Sequence, residues 1–294
     1  MKRLSRVLCA VAIDDRDRHV FAHALALARR NEAKLLVLHA ASPEVAFNRG
    51  AAERVDFLRT LRTLAEAAGV DVRVNVQRGP VAEIILLHAR ARNADLIVLG
   101  TGRHERRRGL SAWIAEQVLR DAPCPTLVVP QASDAPALAE SVLCAVDFSP
   151  ASHAAVHAAV RLSEYSGRPV TLLHVADGRG SHDHVHAGGL ATHEYHREPG
   201  ADAIVELQSM IPQWHVGTAE TRAAVGHPAT EILRAARNMK AQLIVIGASR
   251  RSRIGSKLFG KTGQLLRDAH CPILAVPVPD VARRSTADLN RVAA

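Results

Sequence analysis

The sequence has few aromatic residues: of 294, five are phenylalanine, two tryptophan and two tyrosine. Proteins that bind single-stranded nucleic acid by stacking need several exposed rings in one groove. The composition therefore argues against nucleic acid as the main partner. One observation keeps a binding protein for nucleic acid or an acidic partner as an alternative, since 21 basic and 14 acidic residues lie between Met1 and Ser133 in a chain of net charge +9. A solvated basic face explains that excess equally well.

Long apolar runs are also missing, because no stretch of 18 apolar residues occurs. We therefore expect no membrane-spanning segment. The start, MKRLSR followed by VLCAVAI, is similar to a signal peptide, but its apolar part runs directly into Asp14 and Asp15. The string VLCAV recurs at Val142 to Val146 in mid-chain. Both copies are interpreted as strands of a cytoplasmic protein.

The four cysteines show neither C-x-x-C nor zinc-knuckle spacing. They occupy two sets of matching positions in similar strings of the sequence, Cys9 matching Cys144 and Cys124 matching Cys271. Thiols that recur at strand positions are more simply core residues than disulfide partners, and reduced thiols suit a reducing compartment.

The chain repeats itself. Cys9 and His39 match Cys144 and His174 at an offset of 135, whereas Gly79 and Cys124 match Gly226 and Cys271 at an offset of 147. The second copy therefore carries twelve additional residues between His174 and Gly226. We predict two homologous domains over residues 1–133 and 140–280, followed by a flexible tail over residues 281–294.

Each copy alternates short Val, Ile and Leu runs with helical segments. This pattern predicts two tandem α/β domains, each doubly wound around a five-stranded, mostly parallel sheet that is buried on both faces. Ligands of such sheets bind beyond the carboxyl ends of the strands, where the strand order reverses.

The segment Asp177 to Glu198, where the second copy is the longer one, contains five histidines. They are His182, His184, His186, His193 and His196. Alternate histidines can ligate zinc or copper. The surrounding glycines favour a simple loop instead, so we assign no metal site.

The segment after the fourth strand of the second copy, Gly247 to Thr262, is rich in glycine and basic residues. Glycines let backbone amides approach a phosphate closely, and a following helix start favours negative charge. Gly255 to Thr262 also matches the P-loop pattern G-x-x-x-x-G-K-[ST]. A true P-loop glycine leaves its strand directly, whereas here several residues intervene after the strand that ends near Ile246. An NTP-hydrolysing enzyme that uses Lys261 and Thr262 therefore stays an alternative.

The second copy contains V-D-F-S-P at Val146 to Pro150, L-L-H-V at Leu172 to Val175, G-H-P-A-T-E-I from Gly226 and L-I-V-I-G-A-S from Leu243. The strings D-A-P-C-P and D-A-H-C-P precede the last strand of the first and second copy. Through these strings the chain resembles the universal stress protein family over nearly its whole length, once per domain. The resemblance implies ATP or another adenine nucleotide as ligand, with Mg²⁺ as a possible companion, and an acidic residue near the adenine. Transferred to matching positions, it places binding residues at Val146, Asp147, Val175, Ile246, Gly247, Ser249, Arg250, Gly260, Lys261 and Thr262. Arg250 and Lys261 replace a glycine and a Ser/Thr of the family's phosphate motif.

The first copy departs further, since Ala12 stands where Asp147 stands and Trp113 lies where Gly260 lies. We expect it to be a degenerate partner of the second copy. No Ser/His/Asp or Cys/His arrangement favours an enzyme. The leading hypothesis is a stress-response sensor or scaffold. The resemblance also implies that Thr126 to Val129 and Pro272 to Val276 pair as an internal pseudo-dimer, while assembly into a homodimer stays open.

Overall fold

The computed structural model describes residues 3–12, 18–41, 51–101, 110–131, 133, 141–167, 169–176, 199–211, 219–248 and 259–278. The five histidines between Asp177 and Glu198 and the predicted tail, residues 281–294, lie outside these ranges. None of the helices in the described part of the chain is long and apolar enough to cross a membrane.

Within the described ranges, the first domain contains five strands and four helices. In chain order they are β1 (Arg6–Ala10), α1 (Arg18–Asn31), β2 (Lys34–Ala41), α2 (Ala51–Ala67), β3 (Val72–Arg78), α3 (Val81–Ala91), β4 (Leu96–Gly100), α4 (Leu110–Asp121) and β5 (Thr126–Val129).

The second domain repeats this order. Its elements are β6 (Val142–Val146), α5 (Pro150–Ser166), β7 (Val170–Ala176), α6 (Pro199–Met210), β8 (Ala219–Val225), α7 (Pro228–Asn238), β9 (Leu243–Ala248), α8 (Phe259–Asp268) and β10 (Ile273–Pro277). The predicted alternation of strands and helices is thus confirmed in both copies.

The ten strands form one sheet in the order β3-β2-β1-β4-β5-β10-β9-β6-β7-β8. Neighbouring strands within each domain pair in parallel, as the continuous apolar runs predict. The two domains meet through β5 and β10, which pair antiparallel with Leu127 opposite Leu274. The predicted pairing of the two last strands is therefore confirmed.

The hydrophobic core consists of two clusters, and each contains residues of both domains. Val129 and Val276 belong to one cluster, whereas Val128 and Ile273 belong to the other. Successive strand residues point to opposite faces, so each cluster covers one face of the continuous sheet. The core thus crosses the junction between the domains instead of ending there.

The cysteine prediction is also confirmed. None of the four cysteines forms a disulfide, and all four are buried. Burial raises the pKa of the Cys124 and Cys271 thiols to about 12, with Asp95 adding to the effect at Cys124. These thiols therefore stay protonated and act as small apolar core groups.

Two glycines start the helices that follow the edge strands. Gly79 and Gly226 have φ values of 142° and 145°, which side-chain-bearing residues rarely adopt. Each is bonded to the end of the neighbouring strand, because the Gly79 amide donates to Ala41 and the Gly226 amide to Ala176. The turns that begin α3 and α7 are therefore the same in both copies.

Helix α5 begins at Pro150, only four residues after the end of β6. Ser149 caps this helix, since its Oγ accepts a hydrogen bond from the Ser152 amide at 3.2 Å. Proline at the first helical position needs no amide partner, so serine and proline together set the start of this helix.

Candidate functional site

The reversal of strand order in the second domain lies at β6. Strand β7 lies on one side of β6 and β9 on the other, and both pairs are parallel. The carboxyl ends of all three strands therefore lie along the same edge of the sheet. In doubly wound sheets this is the place where ligands bind.

Five of the ten predicted binding residues come together at this edge. Val146 ends β6, Asp147 follows it, Val175 lies near the end of β7, and Ile246 and Gly247 lie near the end of β9. The side chains of Val146 and Ile246 are buried in opposite core clusters. These two residues can therefore offer a ligand only their backbone groups.

The Asp147 carboxylate is exposed but held in place. Its Oδ1 accepts a hydrogen bond from the Ser149 amide at 3.1 Å and another from the Ser149 hydroxyl at 2.5 Å. No residue in the described part of the chain donates to the other oxygen, Oδ2. The turn thus fixes one of the two carboxylate oxygens.

The turn that carries Asp147 connects β6 to α5. Phe148 has a φ of 59°, in the left-handed region that bulky residues rarely adopt. Its ring contacts the ring of His174, with 4.6 Å between ring centroids. His174 in turn donates from Nδ1 to the carbonyl oxygen of Val146 at 2.8 Å.

Gly247 packs directly against the first turn of α5. A Cβ atom at this position would lie 2.6 Å from the Ala151 carbonyl oxygen and 2.6 Å from the Ser152 nitrogen. The missing side chain therefore lets the helix start come close to β9. This is a packing role, in addition to the phosphate contact that the sequence suggests.

The other five predicted residues are less completely described. Ser249 and Arg250 lie outside the described residues. Gly260, Lys261 and Thr262 lie in the first turn of α8, which contains no acidic residue. A helix start of this kind favours an anion. Gly255, the first glycine of the P-loop match, lies outside the described ranges, and β9 ends at Ala248, before residues 249–254.

The first domain has the same scaffold but different groups at the equivalent edge. His39 donates from Nδ1 to the carbonyl of Val11 at 2.9 Å, as His174 does to Val146. Ala12 follows Val11 and offers no carboxylate. Trp113, in the first turn of α4, is 51% exposed. The two edges therefore share their backbone support and differ in their ligand-binding chemistry.

The described part of the site presents an oriented carboxylate and the carboxyl ends of three parallel strands. The thiol closest in sequence, Cys144 on β6, is fully buried, and burial raises its pKa well above the ordinary value. Among the residues that the structure describes, no group of three or more His, Cys, Asp or Glu side chains is placed to hold a metal ion.

Three residues that form the site were given no role from the sequence: Phe148, Ser149 and His174. All three lie in strings that carry the family resemblance, V-D-F-S-P and L-L-H-V. The recurrence of histidine at the end of the second strand of each copy was the available signal. Its hydrogen bond depends on the register between two strands, which the sequence alone does not show.

One protein-family sequence model matches the chain twice. This model, described as the universal stress protein family, matches residues 4–130 and again residues 139–277. Among curated proteins, a universal stress protein of Methanocaldococcus jannaschii, MJ0531, is 33% identical over 84 residues. That match covers 28% of this chain and 49% of the relative, so the chain spans about half the length of that protein.

A solved structure shares the fold over nearly the whole chain. A universal stress protein from Archaeoglobus fulgidus covers 94% of this chain and 97% of its own, with a TM-score of 0.66 and 17% identity. A second structure from that organism, a universal stress protein in complex with dAMP, covers 44% of this chain and 98% of its own at 18% identity and a TM-score of 0.34. The likeness in fold therefore rests on the full-length match.

Proposed function

Because this chain belongs to the universal stress protein family, we propose that its second domain binds ATP or another adenine nucleotide and that the protein acts in a stress response as a sensor or scaffold. The observation that carries the proposal is the exposed Asp147 carboxylate at the point where the strand order reverses, fixed through Oδ1 and without a donor to Oδ2 among the described residues.

The adenine end of the ligand is assigned to the turn after β6. Asp147 Oδ2 accepts a hydrogen bond from an adenine N–H donor, such as the exocyclic amine. A charged acceptor makes a stronger bond than a neutral one. The ends of β6, β7 and β9 supply backbone groups at Val146, Val175 and Ile246 for the rest of the ring and the ribose.

The phosphate end is assigned to the start of α8. The amides of its first turn and the dipole of the helix favour negative charge. Ser249, Arg250, Gly260, Lys261 and Thr262 are the residues that we assign to the phosphates. Mg²⁺, where present, accompanies the phosphates as a neutralising cation.

The first domain is proposed to bind no adenine nucleotide. Ala12 removes the acceptor that the second domain has in Asp147, and the half-exposed Trp113 occupies the position equivalent to Gly260. One chain therefore binds one nucleotide. The buried thiols are consistent with a cytoplasmic location, which we include in the proposal.

The proposal is tested by isothermal titration calorimetry with ATP, AMP, cAMP and dAMP, each with and without Mg²⁺. We expect binding with one site per chain. Asp147→Asn should weaken it about tenfold or more, because the open oxygen loses its charge. Glu220→Gln is the control, since Glu220 is an exposed carboxylate on edge strand β8 that pairs with Arg222.

Absence of binding for all four nucleotides would overturn the proposal, as would equal weakening by Asp147→Asn and Glu220→Gln. Phosphate release from ATP, followed in the same samples, separates a binding protein from an NTP-hydrolysing enzyme. A sensor or scaffold shows no Mg²⁺-dependent turnover above buffer. Turnover that Lys261→Ala abolishes would favour the enzyme.

A further inference from the structure

We infer that His174 is a positioning residue of the nucleotide site. Its side chain holds the backbone on both sides of Asp147 and so directs the Asp147 carboxylate toward the adenine. The inference rests on the proposed function, since it assigns a residue outside the predicted binding set to the same site.

The first contact acts on the residue before Asp147. Val146 and His174 are register partners in the parallel pair of β6 and β7, and Val146 is the last residue of its strand. Beyond this point the chain leaves the sheet, so no further ladder bond fixes the direction of β6. The His174 Nδ1 proton, donated to the Val146 carbonyl at 2.8 Å, supplies that fixed point.

The second contact acts on the residue after Asp147. Phe148 has a φ of 59°, which a bulky residue keeps only where its surroundings impose it. Its ring lies against the His174 ring, with 4.6 Å between centroids and 33° between the ring planes. One imidazole thus contacts Val146 by a hydrogen bond and Phe148 by its face.

These two contacts leave Asp147 with little freedom. Its neighbours are held by His174, and its Oδ1 is held by the amide and hydroxyl of Ser149. Ser149 is fixed in turn as the cap of α5. A carboxylate that is oriented before the ligand arrives binds more tightly, because less conformational freedom is lost on binding.

The first domain provides a matched control. His39 makes the same hydrogen bond, from Nδ1 to the carbonyl of Val11 at 2.9 Å, and Val11 precedes Ala12. Ile13 takes the place of Phe148 in this copy. Removal of His39 therefore removes an equivalent structural bond from a domain that has alanine at the position equivalent to Asp147.

The experiment compares His174→Ala, His174→Asn and His39→Ala in the full chain. ATP affinity is measured by calorimetry, thermal unfolding by circular dichroism, and amide exchange over residues 147–149 by mass spectrometry. We expect His174→Ala to weaken ATP binding about five- to tenfold. His174→Asn, which keeps an N–H donor close to the backbone, should recover most of the affinity. His39→Ala should lower the unfolding temperature to a similar degree and leave ATP affinity within about twofold of the wild type.

We also expect amide hydrogens at residues 147–149 to exchange faster in His174→Ala than in the wild type, because the turn is held less firmly. His39→Ala should not show this increase. Unchanged ATP affinity in His174→Ala would overturn the inference and leave the proposed function intact. Equal weakening by His39→Ala would also overturn it, because the loss would then follow stability alone. A wild-type protein that binds no nucleotide overturns the proposed function, and the positioning role fails with it.

Discussion

Gly247 in β9 lies against Ala151 at the start of α5, so close that a Cβ atom on the glycine would stand 2.6 Å from the Ala151 carbonyl oxygen. The two residues are far apart in sequence and meet only because β9 is the neighbour of β6 in the sheet. This contact places the end of β9 beside the turn that carries Asp147. The packing of the domain and the geometry of the candidate site therefore depend on the same glycine.

Replacement of Gly247 by alanine should destabilise the protein. The new Cβ would meet backbone atoms of Ala151 and Ser152, which no side-chain rotation can move. Helix α5 must shift, at an expected cost of about 3 kcal/mol. Urea unfolding of Gly247→Ala against the wild type measures this cost, and ATP affinity in the same variant should fall because the Asp147 turn shifts with the helix.

Gly263→Ala is the matched control for that variant. Its new Cβ would contact the Glu116 carboxylate across the domain junction and lie 3.1 Å from the Arg267 guanidinium. Both contacts are the ends of flexible side chains, which can rotate away, and alanine gains about 1 kcal/mol over glycine inside a helix. We expect a stability within about 1 kcal/mol of the wild type. Equal losses in the two glycine variants would contradict the distinction between backbone and side-chain contacts.

The fold was largely predictable from the sequence, for identifiable reasons. Continuous apolar strands, such as Leu243–Ala248, show that the sheet is covered on both faces, and the recurrence of Cys9 as Cys144 shows the duplication. The pairing of β5 with β10 was predictable only through the family resemblance. Periodicity within one strand does not indicate which strand of the other domain will be its neighbour.

The candidate site was predictable in part. Asp147 follows from its place after the first strand of the second copy, together with the resemblance. The support from His174 does not follow, because a hydrogen bond to Val146 requires the register of β6 against β7. The packing role of Gly247 was hidden for the same reason, since Ala151 belongs to a distant segment. Contacts between separate elements are what the pattern of a single element leaves undetermined.

The domain junction should show coupled energetics at Leu127 and Leu274. These residues occupy equivalent positions in the two repeats, and they lie directly opposite each other in the antiparallel pair β5 and β10. Both are buried in the same core cluster. Leu127→Ala and Leu274→Ala should each cost about 3 kcal/mol in urea unfolding.

The double variant decides whether the two domains share one core. Because opposed side chains in a sheet contact each other, the combined loss should be smaller than the sum by about 1 kcal/mol. Val7→Ala with Leu274→Ala is the control pair, since β1 and β10 are not neighbours in the sheet. Strict additivity at Leu127 and Leu274 would indicate that the domains are energetically independent.

The buried cysteines should make the protein less stable in alkaline solution. Folding raises the pKa of Cys124 and Cys271 from 9.0 to about 12, mainly by burial. Their contribution to stability is complete below pH 9 and is lost as the pH rises toward 12, because the unfolded chain then releases protons that the folded chain retains. The unfolding temperature of the wild type should fall between pH 8.5 and pH 10.5. Each protein is compared with its own unfolding temperature at pH 7.5, and the fall should be smaller in the double variant Cys124→Ala/Cys271→Ala.

A thiol reagent gives an independent test of the burial of these cysteines. At pH 8 it should modify them only after denaturant is added. Rapid modification of the native protein would show that they are accessible.

The opposite pH dependence is expected at His23 in α1. Burial lowers its pKa below 6.5, although a hydrogen bond between its Nδ1 and the His19 carbonyl opposes the shift. Its Nε2 lies 3.3 Å from the hydroxyl of Ser133, a group that can donate to the neutral ring. Since the folded pKa is the lower one, the stability that His23 contributes is present above pH 6.5 and is lost as the pH falls below that value. The unfolding temperature of the wild type should therefore fall more steeply from pH 7.5 to pH 5.5 than the unfolding temperature of His23→Gln, in which residue 23 cannot titrate. His157→Gln, at an exposed position of α5, is the control, and its unfolding temperature should depend on pH as that of the wild type does. The same pH dependence in His23→Gln and the wild type would show that protonation of His23 does not oppose folding.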